Sequence, residues 1–257
     1  MALFFRDDKS YDESRRMVGF NRYRQLLGSY ALRWVLINLI TVLGALPLSL
    51  GIWIAIAGSS IIILIPASFL GGVIFGPFLA ALFDSLFRGL RDAPGKWWEH
   101  YTKSWKQNCR DSLLPGGILG LMIGLFSFML YLIWIAQKSP GIGTILLMVC
   151  SALLLFSLTD LYWPQLVLFQ QTASVRIRNA VLFMIQHFWR VMGTSLLELA
   201  FFSVLILFMP WTLILIPFIG LWYILFVAEF LLYDDLNNAF LIEEQFIPLE
   251  GDPWKND

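Results

Sequence analysis

From Trp34 to Phe87 the chain carries one charged side chain, Asp84. Residues 112–137 carry none, and 191–233 carry only Glu198 and Glu229. A helix that crosses the hydrocarbon core of a bilayer needs about 20 consecutive apolar residues, so each run is long enough for one or two crossings. The pattern predicts six spans. The first covers 33–55 and is closed by AGSS at 57–60; the second covers 61–87 and is interrupted by Pro66, Gly71, Gly72, Gly76 and Pro77. The third (113–136) and fourth (142–169) are joined by QKSPGIG, and the fifth and sixth share 194–233, divided near MPWT at 209–212. A span packed into half of 194–233 is short, so the alternatives are a fifth span that starts earlier, inside the amphipathic stretch before it, or a five-span chain.

The polar intervals have a pattern of their own. In YTKSWKQNCRDSLL and the residues before it, Trp97, Tyr101, Trp105 and Cys109 recur every four positions, with Trp98 beside them. Lys96, Glu99, Lys103, Lys106 and Arg110 fall on the opposite face. This is an amphipathic helix, and aromatic residues opposite Lys and Arg suit a helix lying at the membrane surface. Residues 178–193 repeat the arrangement, with Val181, Met184, Ile185, Phe188 and Met192 opposite Gln186, His187 and Arg190. So do Phe20, Tyr23, Leu27, Tyr30 and Trp34, opposite Arg22, Gln25, Ser29 and Arg33. A proline lies in each returning span, in GPFLAALF, WPQLVLF and PFIGLWYILF. An interfacial helix, a span, a tight turn and a proline-bearing return span therefore form a candidate threefold repeat.

The expected fold is all-α: a polytopic helical membrane protein of about six spans with amphipathic interfacial helices on the cytoplasmic side. Residues 1–235 form a single transmembrane domain, and 236–257 an acidic, solvated tail. Composition agrees, at 58% apolar and 14% charged against about 45–50% and about 25% in soluble domains; mean hydropathy is +0.72. Charges in MALFFRDDKSYDESRR occupy the place of a signal-peptide apolar core, so no cleaved leader is expected.

Lys and Arg collect in cytoplasmic loops near the spans. Under six spans, seventeen of the eighteen fall on one side, Arg6 to Arg33, Arg88 to Arg110, Arg176 to Arg190 and Lys255; only Lys138 lies opposite. Both termini are therefore predicted to be cytoplasmic. The outer turns carry almost no charge, so recognition is expected in the membrane or at the cytoplasmic face. A formal net charge of zero speaks against nucleic acid as a partner.

Ionisable residues inside spans are costly and mark candidate functional sites. Asp84 reads as a local pair with Arg88. Glu198 and Glu229 read as shallow, near the cytoplasmic interface. Asp160 is the deepest, about two-thirds along its span and four residues before Pro164, whose missing N–H leaves the Asp160 carbonyl without its usual donor. Asp160, Gln165 and Asn38 form a candidate intramembrane polar site, either structural or an ion, proton or solute site. Trp97, Trp98, Tyr101, Trp105, Lys103, Lys106 and Arg110 form a candidate docking face for a partner or an anionic headgroup, the alternative being a plain surface anchor. IPASFLGGVIFGP at 65–77 reads first as close helix packing and second as a broken, solute-binding helix.

No catalytic constellation, metal-ligand spacing or cofactor loop is present: His100 and His187 have no Cys or acid at ligand spacing in the sequence, and Cys109 and Cys150 form no framework. No enzyme activity, cofactor or metal is expected.

GPFLAALFDSLFRG followed by WWEHYTKSWKQNCRDSLL resembles the YesL-like family of small bacterial integral membrane proteins, a domain of unknown function, over about residues 18–235. The resemblance implies a bacterial plasma membrane and a link to carbohydrate uptake, and it carries over no catalytic residues. The leading expectation is a non-enzymatic accessory or scaffold component, its partners the lipid bilayer and a transporter or signalling membrane complex. The alternative is a small-solute transporter or channel using the Gly/Pro-broken second span and an intramembrane acid.

Overall fold

The computed structural model describes residues 17–93, 95–137 and 140–246, with side chains as far as 244. The basic residues Arg6, Lys9, Arg15, Arg16, Lys138 and Lys255, Pro94, and the tail beyond 246 lie outside the described residues. The described chain is helical throughout, in the order α1 (Gly19–Ala57), α2 (Ile61–Leu90), α3 (Trp97–Ala136), α4 (Ile142–Leu168), α5 (Ala173–Gln186), α6 (Phe188–Leu207), α7 (Ile216–Ile219), α8 (Trp222–Phe240) and α9 (Ile242–Phe246). Six helices are long and apolar enough to cross a membrane: α1, α2, α3, α4, α6, and α7 with α8 as one interrupted span.

Three boundaries differ from the sequence expectation. At 1.5 Å per residue α1 and α3 are about 60 Å long, twice the roughly 30 Å hydrocarbon core. The amphipathic stretches at 20–34 and 97–110 are the opening turns of these two helices, not separate interfacial helices; only α5 stands alone. Pro115 does not interrupt α3, and Pro66 and Pro77 do not break α2. Unsatisfied backbone groups are expensive in an apolar medium, so losing one N–H to a proline is cheaper than opening a turn. Finally, α6 begins at Phe188, so the fifth span takes in residues read as interfacial.

The central seam lies between α2 and α3. Ser68, Gly72 and Gly76 recur every four residues on α2, as do Ser112, Gly116, Gly120 and Gly124 on α3, so each set forms one ridge. A Cβ added at Gly72 would stand 2.3 Å from the Gly116 carbonyl oxygen, and one at Gly120 would stand 2.5 Å from the Gly72 Cα. The backbones therefore touch, as small residues allow in membranes. On the other side of α2, Gly71 meets the backbone of Leu48 on α1 and Gly44 meets the Phe78 ring. The run at 65–77 is a two-sided packing surface in a continuous helix.

The aromatic stripe of α1 packs on α8. Trp34 lies 4.6 Å from the Phe226 ring and 5.6 Å from Trp222, and Tyr23 lies 5.5 Å from Phe226. Asn38, fully buried, holds the interruption between α7 and α8. Its Nδ2 donates to the carbonyls of Ile216 (3.0 Å) and Pro217 (2.7 Å), while its Oδ1 accepts from the amides of Leu221 (3.2 Å) and Trp222 (3.1 Å). One side chain thus satisfies three backbone groups that the broken helix leaves open and gives the Ile216 carbonyl, already bonded to the Gly220 amide, a second donor.

The expected tail begins inside α8. Leu236 and Ile242 are buried, and the Tyr233 hydroxyl donates to Glu243 at 2.9 Å.

Candidate functional site: an intramembrane carboxyl cluster

Three acidic residues converge inside the bundle from three helices. Asp160 comes from α4, Glu198 from α6 and Glu229 from α8. Exposure is 0% for Asp160, 1% for Glu198 and 0% for Glu229. The Asp160 and Glu198 carboxyls adjoin each other, and Glu229 is within electrostatic range of both. Among the described residues, no hydrogen bond of standard geometry reaches any of the six carboxyl oxygens.

Local geometry explains the convergence. Side chains on a helix lean toward its N-terminus. α4 and α6 run in opposite directions, so the side chains of Asp160 and Glu198 lean toward each other from opposite ends of the contact. One turn before each acid stands a serine, and these two hydroxyls, Ser157 and Ser195, hydrogen-bond across the helices at 2.7 Å. Phe156 stacks on Phe202 at 5.5 Å along the same contact, and Phe201 meets Tyr223 of α8 at 6.4 Å. On the α2 side, Trp163 lies parallel to Phe83 at 6.3 Å. The carboxyls are enclosed by aromatic and aliphatic groups.

Three neighbouring negative charges without a counter-charge are not tolerated in such surroundings. Protons or a cation must balance them. Among the described residues, no group of three His, Cys, Asp or Glu is arranged to hold a metal ion. The chemistry open to three such carboxyls is the binding of protons or of a small cation that balances them.

The sequence-derived sites distribute unevenly around this cluster. Asp160 is its centre. Gln165 is 1% exposed; its Nε2 donates to the Leu161 carbonyl at 2.7 Å and its Oε1 has no partner. Asn38 is committed to the backbone of α7 and α8, as described above. Glu198 and Glu229, read from sequence as shallow, lie midway along α6 and along the α7–α8 span. The earlier start of α6 and the α7–α8 interruption move them inward.

The candidate docking face is divided. Trp98 is 48% exposed, and Lys103, Lys106 and Arg110 face outward. Tyr101 is 3% exposed, and Trp97 and Trp105 pack on the core, with Trp105 edge-on to Phe78 at 5.8 Å. The aromatic stripe expected at the headgroups is turned toward α1 and α2. An amphipathic pattern records that one face is buried, not whether lipid or protein buries it.

Comparison with protein-family models, curated proteins and solved structures finds no match, so the YesL-like resemblance rests on residues 76–89 and 97–114 alone.

Proposed function

We propose that this chain is a multi-pass membrane carrier of a small solute, with Asp160, Glu198 and Glu229 supplying the protonatable centre that couples movement to protons. The observation that carries the reading is the set of six buried carboxyl oxygens, brought together from three helices and left without hydrogen-bond partners. Adding or removing a proton changes the repulsion among α4, α6 and α8, and so biases how these helices pack. Such a bias is what a two-state carrier needs. A scaffold acting from the cytoplasmic face would have the aromatic face at 97–105 as its candidate docking surface. Most of that face packs inward, so the carrier reading comes first.

We place the protein in a bacterial plasma membrane, with the arginine-rich ends of the helices in the cytosol. The one-sided distribution of Lys and Arg supports the orientation, and the resemblance supports the location. A connection to carbohydrate uptake makes sugars the first solutes to test.

The test is uptake into proteoliposomes of a panel of sugars, amino acids and small carboxylates, with and without an imposed pH gradient. Saturable, gradient-dependent uptake of at least one solute is expected, lost in Asp160→Asn and Glu198→Gln. Uptake no greater than in empty liposomes across the panel, with folded protein, would overturn the proposal. So would uptake unchanged by both substitutions.

A further inference from the structure

A second polar feature lies at the arginine-rich end of the bundle. A cleft of about 950 Å³ opens between the end of α2, the first turns of α3 and the 169–173 connection into α5. Its charged lining is Arg88, Arg91, Arg110 and Arg176 against Asp84 and Asp111. Four guanidinium groups thus face two carboxylates in one concave site.

The pairing does not use up the cations. Arg88 is taken by Asp84, Nε to Oδ2 at 2.8 Å. Arg176 is 3% exposed, yet its one charged contact is a loose 3.2 Å from Nη2 to Asp111, whose own side chain is 59% exposed. The Arg176 Nε is buried and has no partner at all. A buried guanidinium N–H without an acceptor is costly, and here it borders an open cleft. Arg110 is exposed on the α3 wall.

The backbone adds to this. α5 is fourteen residues long and starts at the cleft, where Thr172 and Ala173 line the wall. No side chain caps it. Its first-turn amides therefore point at the cleft without intrahelical acceptors, and its dipole places partial positive charge there. Arg176 stands in that same first turn. Uncapped amides beside guanidinium forks are the donor set that binds phosphate oxygens. Burial first, and then the neighbouring Arg88 cation, push the Arg91 guanidinium down to about 10, against the opposing pull of Asp84, Tyr233 and Glu243. An anion in the cleft would relieve that crowding.

We propose that this cleft binds a phosphate-type anion through Arg176, the first-turn amides of α5 and Arg110. Guanidinium forks and backbone amides converging on one place match the several oxygens of a phosphate better than a single carboxylate. The phosphate group can come from a soluble phosphorylated molecule or from a lipid headgroup, since the cleft lies where the helices leave the apolar region. The proposal is independent of the carboxyl cluster and can be tested without any uptake.

The experiment uses the full chain in nanodiscs of phosphatidylcholine, titrated with inorganic phosphate and glycerol 3-phosphate against chloride at matched ionic strength, and read by calorimetry. Nanodiscs containing phosphatidic acid, with retained lipid read by native mass spectrometry, form the second arm. Saturable binding of the soluble phosphates, weakened about tenfold in Arg110→Gln and tightened in Asp111→Asn, would support the site with a soluble ligand. Selective retention of phosphatidic acid, changed in the same two directions, would support it with a lipid ligand. Arg176→Gln should abolish either one. Arg110 is exposed and Asp111 has an exposed side chain, so their variants keep the test informative if Arg176→Gln does not fold. Binding no better than chloride or phosphatidylcholine in both arms would overturn the proposal. So would binding indifferent to the Arg110 and Asp111 substitutions.

Discussion

The hydroxyls of Ser157 and Ser195 meet at 2.7 Å, joining α4 to α6 one turn from Asp160 and Glu198. Ser157 is also tied to its own helix, its Oγ donating to the Leu153 carbonyl at 2.8 Å. The pair fixes the register that sets the two carboxyls side by side. Interhelical hydrogen bonds in membranes average about 0.6 kcal/mol, so its contribution to stability is small and its contribution to position is the larger one. Ser157→Ala and Ser195→Ala should each lower thermal stability slightly, and the double variant should lose less than the sum. A double-mutant cycle from unfolding in detergent measures this; strict additivity would show that the hydroxyls do not interact.

The α2–α3 seam should be intolerant of any side chain. A Cβ at Gly72 would overlap the Gly116 carbonyl, and one at Gly116 would stand 2.6 Å from the Gly72 carbonyl. Backbone cannot give way as a flexible side chain can, so Gly72→Ala and Gly116→Ala should each destabilise by at least the roughly 1–3 kcal/mol of an overpacked core. Gly143, with nothing within 4 Å of an added Cβ, provides the control: Gly143→Ala should leave the melting temperature in detergent unchanged. Equal melting temperatures for all three variants would contradict the seam.

Asn38 should behave as a structural clamp. Asn38→Ala strands the Pro217 carbonyl and the Leu221 and Trp222 amides in an apolar interior, where each unsatisfied group costs about 1–3 kcal/mol, while the Ile216 carbonyl keeps the Gly220 amide. Asn38→Asp keeps the acceptor for the Leu221 and Trp222 amides but loses both donors. Hydrogen exchange at those two amides should therefore rise sharply in the alanine variant and less in the aspartate variant. Equal protection in both variants and the native chain would remove the clamp from the account.

How much of this could be read from sequence depends on range. The spans were legible because a bilayer imposes a minimum apolar length, and 34–87, 112–137 and 191–233 meet it. The start of α6 was legible only as an alternative, because Phe188 to Gly193 carries Arg190 and looks interfacial, while the fifth span is short without it. The direction of the 97–105 stripe was not, because lipid and protein both select the same apolar face. Small residues at 68, 72 and 76 and at 112, 116, 120 and 124 announce two close-packing ridges, but nothing local says that they pack on each other. The carboxyl cluster is the hardest case. Asp160 stood out through its depth and Pro164, yet Glu198 and Glu229 join it only through the contacts of α4, α6 and α8, across separations of more than thirty residues. A buried acid on each of three late helices was the available signal, and the span boundaries hid it.

The central claim is that Asp160, Glu198 and Glu229 hold protons inside the membrane. Infrared difference spectroscopy of the full chain in nanodiscs, titrated from acid to alkaline pH, reads protonated carboxyls directly through their C=O stretch. Carboxylic acid bands from buried groups are expected in the native chain, with components lost or shifted in Asp160→Asn, Glu198→Gln and Glu229→Gln, each perturbing the remaining two. A spectrum in which the three substitutions remove no protonated carboxyl signal at any pH would contradict the account.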